Sequence, residues 1–124
     1  MKKAIRILGV ILFTSMVLTS CGNSGYDLSS PESTINTLIK SSSEKDKEGL
    51  SLCFSKQSAG EFKSIVNKTL TDKDLNDLKE MFENAKIKSS KIDGSSASVS
   101  IQLTNRDEEI WMAKENENWV IIDF

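Results

Sequence analysis

Cys21 and Cys53 are the two thiols of a 124-residue chain that contains no histidine, and this narrows the chemistry open to it. Without histidine there is no histidine triad, no imidazole general base and none of the commonest zinc ligand. Cys53 stands among Leu50, Leu52 and Phe54, with Lys56 the one nearby cation along the chain. A reactive thiolate needs a cation or a helix N-terminus beside it, so Cys53 reads as a small buried hydrophobe. The carboxylates offer little more. Asp72-x-Asp74-x-Asn76 with Glu83 at the twelfth position has much of the spacing of a calcium loop. The sixth position needs glycine for its sharp turn and is Asp77, and the normally apolar eighth is Lys79. Strict alternation would put Asp123 on one face with Trp119 and Ile121, where burial could raise its pKa for acid catalysis. Its place beside a fraying chain end favours a solvated carboxylate instead. There is no glycine-rich phosphate loop and no nucleophile-elbow serine. The residues assign no catalytic group, no metal site and no cofactor, and the expectation is that this is not an enzyme.

Cys21 is different because of what precedes it. Lys2, Lys3 and Arg6 form a basic start, and a mostly apolar run from Ile7 to Leu18 follows. That is the layout of a cleavable secretory signal, too short and too polar at its end for a membrane span of about 20 residues. Leu18-Thr19-Ser20-Cys21 resembles the bacterial lipobox. The resemblance implies cleavage between Ser20 and Cys21 and a thioether-linked diacylglyceryl group on Cys21. Each buried methylene contributes about 0.8 kcal/mol, so two or more acyl chains hold a protein firmly where one does not. The expected divisions are a lipoprotein signal peptide over 1–20, a lipidated tether over 21–29 and one domain over 30–124. The expected location is the cell membrane or outer membrane, on the extracytoplasmic side.

Loss of the signal removes three of 16 Lys and Arg, leaving 13 against 18 Asp and Glu, a net charge of about −5. Such a balance argues against nucleic acid as a partner. If Cys21 is acylated, Cys53 has no disulfide partner in the chain.

The elements that must position any site are legible from periodicity. Ser30-Pro31-Glu32 caps and opens a helix whose stripe is Ile35, Leu38 and Ile39, ending in the polar run Ser41-Ser42-Ser43. Asp46 to about Phe54 forms a second, with Gly49 weakening it by about 1 kcal/mol relative to alanine. Ser58-x-x-Glu61 resembles a capping box ahead of Phe62, Ile65 and Val66. Thr71 opens the strongest helix, with Leu70 and Leu75 placed as a hydrophobic staple and a stripe of Leu75, Leu78, Met81, Phe82 and Ala85. After Lys86 the period becomes two. Ala97, Val99, Ile101 and Leu103 alternate with serines and other polar residues, and Asp93-Gly94 signals a hairpin back to a strand around Ile87 to Ile92. Those two isoleucines share a face only if a bulge lies near Ser89-Ser90. Asp107-Glu108-Glu109 reads as a solvated loop, and Ile110 to Ala113 and Trp119 to Phe124 as two further strands. Helices followed by strands make an α+β domain, its N-terminal helices packed on an antiparallel sheet of about four strands.

Ser30-Pro31-Glu32, Lys45 to Leu50, Ala97 to Ile101 and Trp119-Val120-Ile121 together resemble the small bacterial lipoproteins of the domain-of-unknown-function 4878 family, in the nuclear-transport-factor-2-like, cystatin-like superfamily. The resemblance spans most of 30–124 and implies a cone, a curved sheet wrapped around helices with a pocket at its wide end. It implies no activity. The chain departs from the family at Ile110-Trp111-Met112, where a charged run is usual.

Trp111, Trp119, Phe54, Phe62, Phe82 and Phe124 suffice either to close a small core or to line a cavity. Trp111, Phe62 and Trp119 are the candidates for a binding surface or pocket. Trp111 stands out because Ile110 and Met112 point the opposite way, giving one strand large apolar groups on both faces. The leading expectation is a membrane-anchored envelope lipoprotein, held by membrane lipid through Cys21, that acts as a non-catalytic binding or assembly module for an envelope protein. The alternative is a carrier or sensor of a small apolar ligand in the cone, and a pocket enzyme using an acid comes third.

Overall fold

The computed structural model describes residues 25–57 and 60–124, without the side chain of Glu61. The signal segment, Cys21 and the proposed cap Ser58 lie outside the described residues. Helix α1 spans Pro31–Glu44 and begins as its sequence dictates: Ser30 accepts a hydrogen bond from the Ser33 amide and proline occupies the first turn. The serine run does not end it. The helix continues through Ser41 and Ser42, which are both buried, and stops at Lys45 in the left-handed conformation.

Buried Ser41 is explained by α2, Lys47–Cys53, which packs against α1 with Asp46 capping the amides of Glu48 and Gly49. A Cβ added at Gly49 would lie 2.1 Å from Ser41 Oγ and 2.8 Å from Tyr26 Cε1. Gly49 is thus a contact point between helices, which offsets its poor helix propensity. A 3₁₀ turn at Gly60–Phe62 leads into α3, Lys63–Val66. Helix α4, Asp72–Phe82, starts with a reciprocal capping box between Thr71 and Asp74. Leu70 and Leu75 are buried as the staple requires, and Leu78, Met81 and Ala85 pack on the core edge.

Four strands, β1 (Lys86–Asp93), β2 (Ser96–Gln102), β3 (Asp107–Glu115) and β4 (Asn118–Asp123), form one antiparallel sheet in sequential order. The fold is α+β with helices and one open sheet of four antiparallel strands. The β1–β2 register shifts between Ile87 and Ser89, so Ile87 pairs with Ile101 and Ile92 with Ala97 on one face. The bulge therefore reconciles the two isoleucines, although Ile92 remains 55% exposed at the hairpin end. The turn is Gly94-Ser95, one residue later than the sequence suggested, with Gly94 at φ 66° in the first central position. Asp107-Glu108-Glu109 is not a loop. These residues open β3 and pair with Gln102, Ile101 and Ser100, because the loop before them is only Leu103 to Arg106, closed by a 2.7 Å backbone bond between those two.

One face of the sheet carries Val99, Ile101, Ile110, Met112 and Ile121, all fully buried with Ile35, Leu38 and Leu50 of the helices. Helix α1 is fastened to the sheet at both edges. Thr34 Oγ1 donates to the Trp119 carbonyl at 2.7 Å, and Ser90 of β1 bonds Glu32. The outer edge of β4 is covered as well, by Ser55 N–H to Ile121 O and by Trp119 N–H to Leu28 O. The tether expected over 21–29 is accordingly shorter. Leu28 is buried in the core and the Tyr26 hydroxyl donates to Asp46 at 2.6 Å, so the docked domain begins by Tyr26. An apolar side chain and a strong acceptor dock residues that reading along the chain leaves in the tether.

Candidate functional site

Strand β3 builds the site by its period. Ile110 and Met112 point to the helices and are fully buried, so Glu109, Trp111, Ala113 and Glu115 point to the other face. Trp111 is 48% exposed there. Its cross-strand neighbour on β2 is Ser98, between Ser96 and Ser100. Short side chains on that whole strand leave the indole standing above its surroundings.

On the other side the neighbour of Trp111 is Asp123. The pairing passes from Met112–Ile121 to Trp111–Asp123, leaving Ile122 as the extra residue of a bulge. Simple alternation placed Asp123 beside Trp119 and Ile121 in the interior. The bulge shifts it by one residue onto the opposite face, where it is exposed.

On the outward face of β3 and β4 the charges all have one sign. The outward charged side chains of β3 and β4 are Asp107, Glu109, Glu115 and Asp123. Asp107 pairs with Lys88 of β1 at 2.8 Å, and Glu115 accepts a 2.8 Å hydrogen bond from Ser55. Glu109 and Asp123, which flank Trp111, make no side-chain hydrogen bond or ion pair among the described residues.

The three aromatic candidates are not brought together. Trp119 is 5% exposed, in the core under α1. Phe62 is buried in an aromatic group with Phe54 and Phe124, at centroid distances of 5.2 and 5.3 Å. Phe62 and Phe124 also line an open groove of about 300 Å³ together with Ile65, Leu70, Leu78 and Met81. Packing accounts for the positions of Trp119 and Phe62, and Phe62 also faces the open groove. Only Trp111 presents a surface. Ser20 and Cys21 lie outside the described residues.

No family model, no curated protein and no solved structure matches this chain. The site is therefore read from its own geometry.

The other reactive groups are accounted for locally. Cys53 is fully buried, 3.6 Å from the Thr34 carbonyl, and burial pushes its thiol up to about 12. A thiol so disfavoured as thiolate is inert at neutral pH. The near-calcium motif runs the length of α4 from Asp72 to the C-cap Glu83, with Asp74 engaged by Thr71 amide and hydroxyl and held below the usual carboxylate range by those bonds. Buried polar side chains among the described residues are Thr34, Ser41, Ser42, Ser51 and Ser55, with no carboxylate, lysine or arginine. No helix among the described residues is long and apolar enough to cross a membrane.

The signal for Glu109 and Asp123 was present in part. The alternation through Ile110 and Met112, extended two residues upstream, puts Glu109 beside Trp111. The bulge that delivers Asp123 has no sequence signature, since it depends on how β4 meets β3 near the chain end.

Proposed function

We propose that this protein is a lipid-anchored cell-envelope lipoprotein whose domain is a non-catalytic binding or assembly module, using the outer face of its sheet. The observation that carries the reading is Trp111, half exposed on a strand whose opposite face buries its neighbours Ile110 and Met112 completely. Leaving an indole in water forfeits the free energy of burying its apolar area, which a docking partner recovers. Aromatic residues flanked by polar ones are also the usual anchors of interfaces.

Anchoring rests on the basic start, the apolar run and Leu18-Thr19-Ser20-Cys21, with acylated Cys21 in the membrane and cleavage after Ser20. With Tyr26 docked, the four residues from Gly22 to Gly25 can span no more than about 14 Å, at about 3.5 Å per residue. The domain works against the membrane surface on the extracytoplasmic side. The sheet and its helical cover are compatible with the cystatin-like cone of the resembling family. The carrier reading has the open groove beside Phe62 in its favour, but Phe62 there is packed against two other rings and leaves little enclosed volume.

Two measurements test the proposal. Metabolic labelling with a fatty-acid analogue should mark the wild type and not Cys21→Ala; equal labelling refutes the anchor. In a strain with a measurable deletion phenotype, Trp111→Ala made at wild-type level should fail to complement. Full complementation by that variant removes the outer face from the function.

A further inference from the structure

The outer face is electrostatically divided, and the division says what it takes. Around Trp111 the flanking side chains are Glu109 along the strand and Asp123 across it, neither with a counter-charge among the described residues. Glu115 lies further along the same strand face. The lysines of this face, Lys86, Lys88 and Lys91, belong to β1, two strands away from β3. An indole bordered by unpaired carboxylates is complementary to a cation, which the ring quadrupole and the carboxylates attract together.

Resting on the reading of this face as the binding surface, we infer that its occupant is a basic segment of a partner protein, in extended conformation, seating an arginine or lysine on Trp111 between Glu109 and Asp123. Three features select that chemistry. The carboxylates repel an anionic lipid surface or a nucleic acid, each of which would otherwise suit an exposed tryptophan. Trp111 and its two carboxylates stand exposed on a strand face rather than in an enclosed cavity, so a small free cation would remain largely hydrated. Glu109, Trp111, Ala113 and Glu115 recur every second residue, about 6.8 Å apart, which is the repeat of an extended chain lying along β3. The serines of β2 beside it supply hydroxyls for the backbone of such a chain and no bulk to obstruct it.

The test uses the purified full chain in detergent micelles, titrated calorimetrically with a peptide of about ten residues alternating arginine and serine, to match the strand repeat. The glutamate–serine peptide and glycerophosphoglycerol, the water-soluble headgroup of an anionic phospholipid, serve as the other arms. The arginine peptide should bind, and the other two should not. Glu109→Gln with Asp123→Asn should weaken binding about ten-fold, and Trp111→Ala by a similar factor, whereas Trp111→Phe keeps most of it. Neutralising Asp72 and Glu80 on α4 (Asp72→Asn with Glu80→Gln) should change affinity by less than about two-fold, as expected of remote surface charge. All the variants replace exposed side chains, and unchanged circular dichroism certifies their folds. The inference is overturned if the arginine peptide does not bind, if the α4 pair weakens binding as much as the Glu109 and Asp123 pair, if Trp111→Ala has no effect, or if the anionic headgroup binds. Should it be overturned while Trp111→Ala still fails to complement in cells, the face remains the functional surface and its occupant is of another class.

Discussion

Trp111 and Asp123 face one another across β3 and β4 on the solvent side of the sheet, one step from the pair Met112 and Ile121 that is buried on the helix side. A single extra residue, Ile122, separates the two arrangements. Without that bulge Asp123 would be directed at the core, where an unpaired carboxylate costs far more than in water. With it, the last strand ends by delivering a charge to the face that Trp111 occupies.

The two tryptophans should separate cleanly in stability. Trp119 is buried and its carbonyl accepts from Thr34, so Trp119→Ala should destabilise by about 3–5 kcal/mol, as for other large core aromatics. Trp111→Ala should cost less than about 1 kcal/mol, in the range of surface substitutions. Urea melts of the two variants check this, and comparable losses would place Trp111 in the core.

Gly49→Ala should destabilise although alanine is the better helix former. The new methyl meets Ser41 Oγ and the Tyr26 ring inside normal contact distance, and overpacking of this kind costs about 1–3 kcal/mol. Ser41→Ala removes the nearest obstacle, so the double variant should recover part of the loss, with a coupling of at least about 0.5 kcal/mol. Additive effects in a double-mutant cycle would mean that α1 and α2 can move apart at no cost.

Stability should fall at both ends of the pH scale for identifiable reasons. The hydrogen bond from Tyr26 holds Asp46 below its ordinary 3.8, and one from Ser90 holds Glu32 below its ordinary 4.5. Depressed carboxylates stabilise the fold fully above those ordinary values, and the contribution disappears as pH drops through the lowered ones. Cys53 rises from 9.0 to about 12 because it is buried, and Tyr26 from 10.0 to about 12 chiefly through its bond to Asp46. Both favour the protonated group in the fold, so their stabilisation is complete below pH 9 and is lost between about pH 9 and 12. Tyr26→Phe should flatten the profile below pH 4 and above pH 10. A wild-type midpoint constant from pH 9 to 12 would contradict the burial of Cys53.

Much of the domain could be read along the chain because its signals are local. Ser30-Pro31, Asp46 and Thr71 start helices by donating or accepting bonds within three residues, and each does so in the fold. The strict alternation from Ala97 to Ile101 names the buried face of β2 for the same reason: in a strand, neighbouring side chains must diverge. The composition alone, with no histidine and one thiol among apolar neighbours, bounded the chemistry. Leu18-Thr19-Ser20-Cys21 likewise carries its expectation within four residues.

What tertiary structure decided are the places where two distant segments compete for one space. Ser41 looks like part of a helix end until α2 packs against it at Gly49. Gly49 looks like a weakness until Ser41 and Tyr26 fill the room beside it. Leu28 reads as tether until the edge of β4 offers it a backbone bond. Among aromatics of similar character, composition could not say which is core. Trp119 lies under α1 and Phe62 against Phe54 and Phe124, while Trp111 is left in water with Glu109 and Asp123 because of strand parity and one bulge. Periodicity is set by bonds to near neighbours and so is written in order along the chain. Burial is set by whichever element arrives on the other side, and only the assembled fold brings it there.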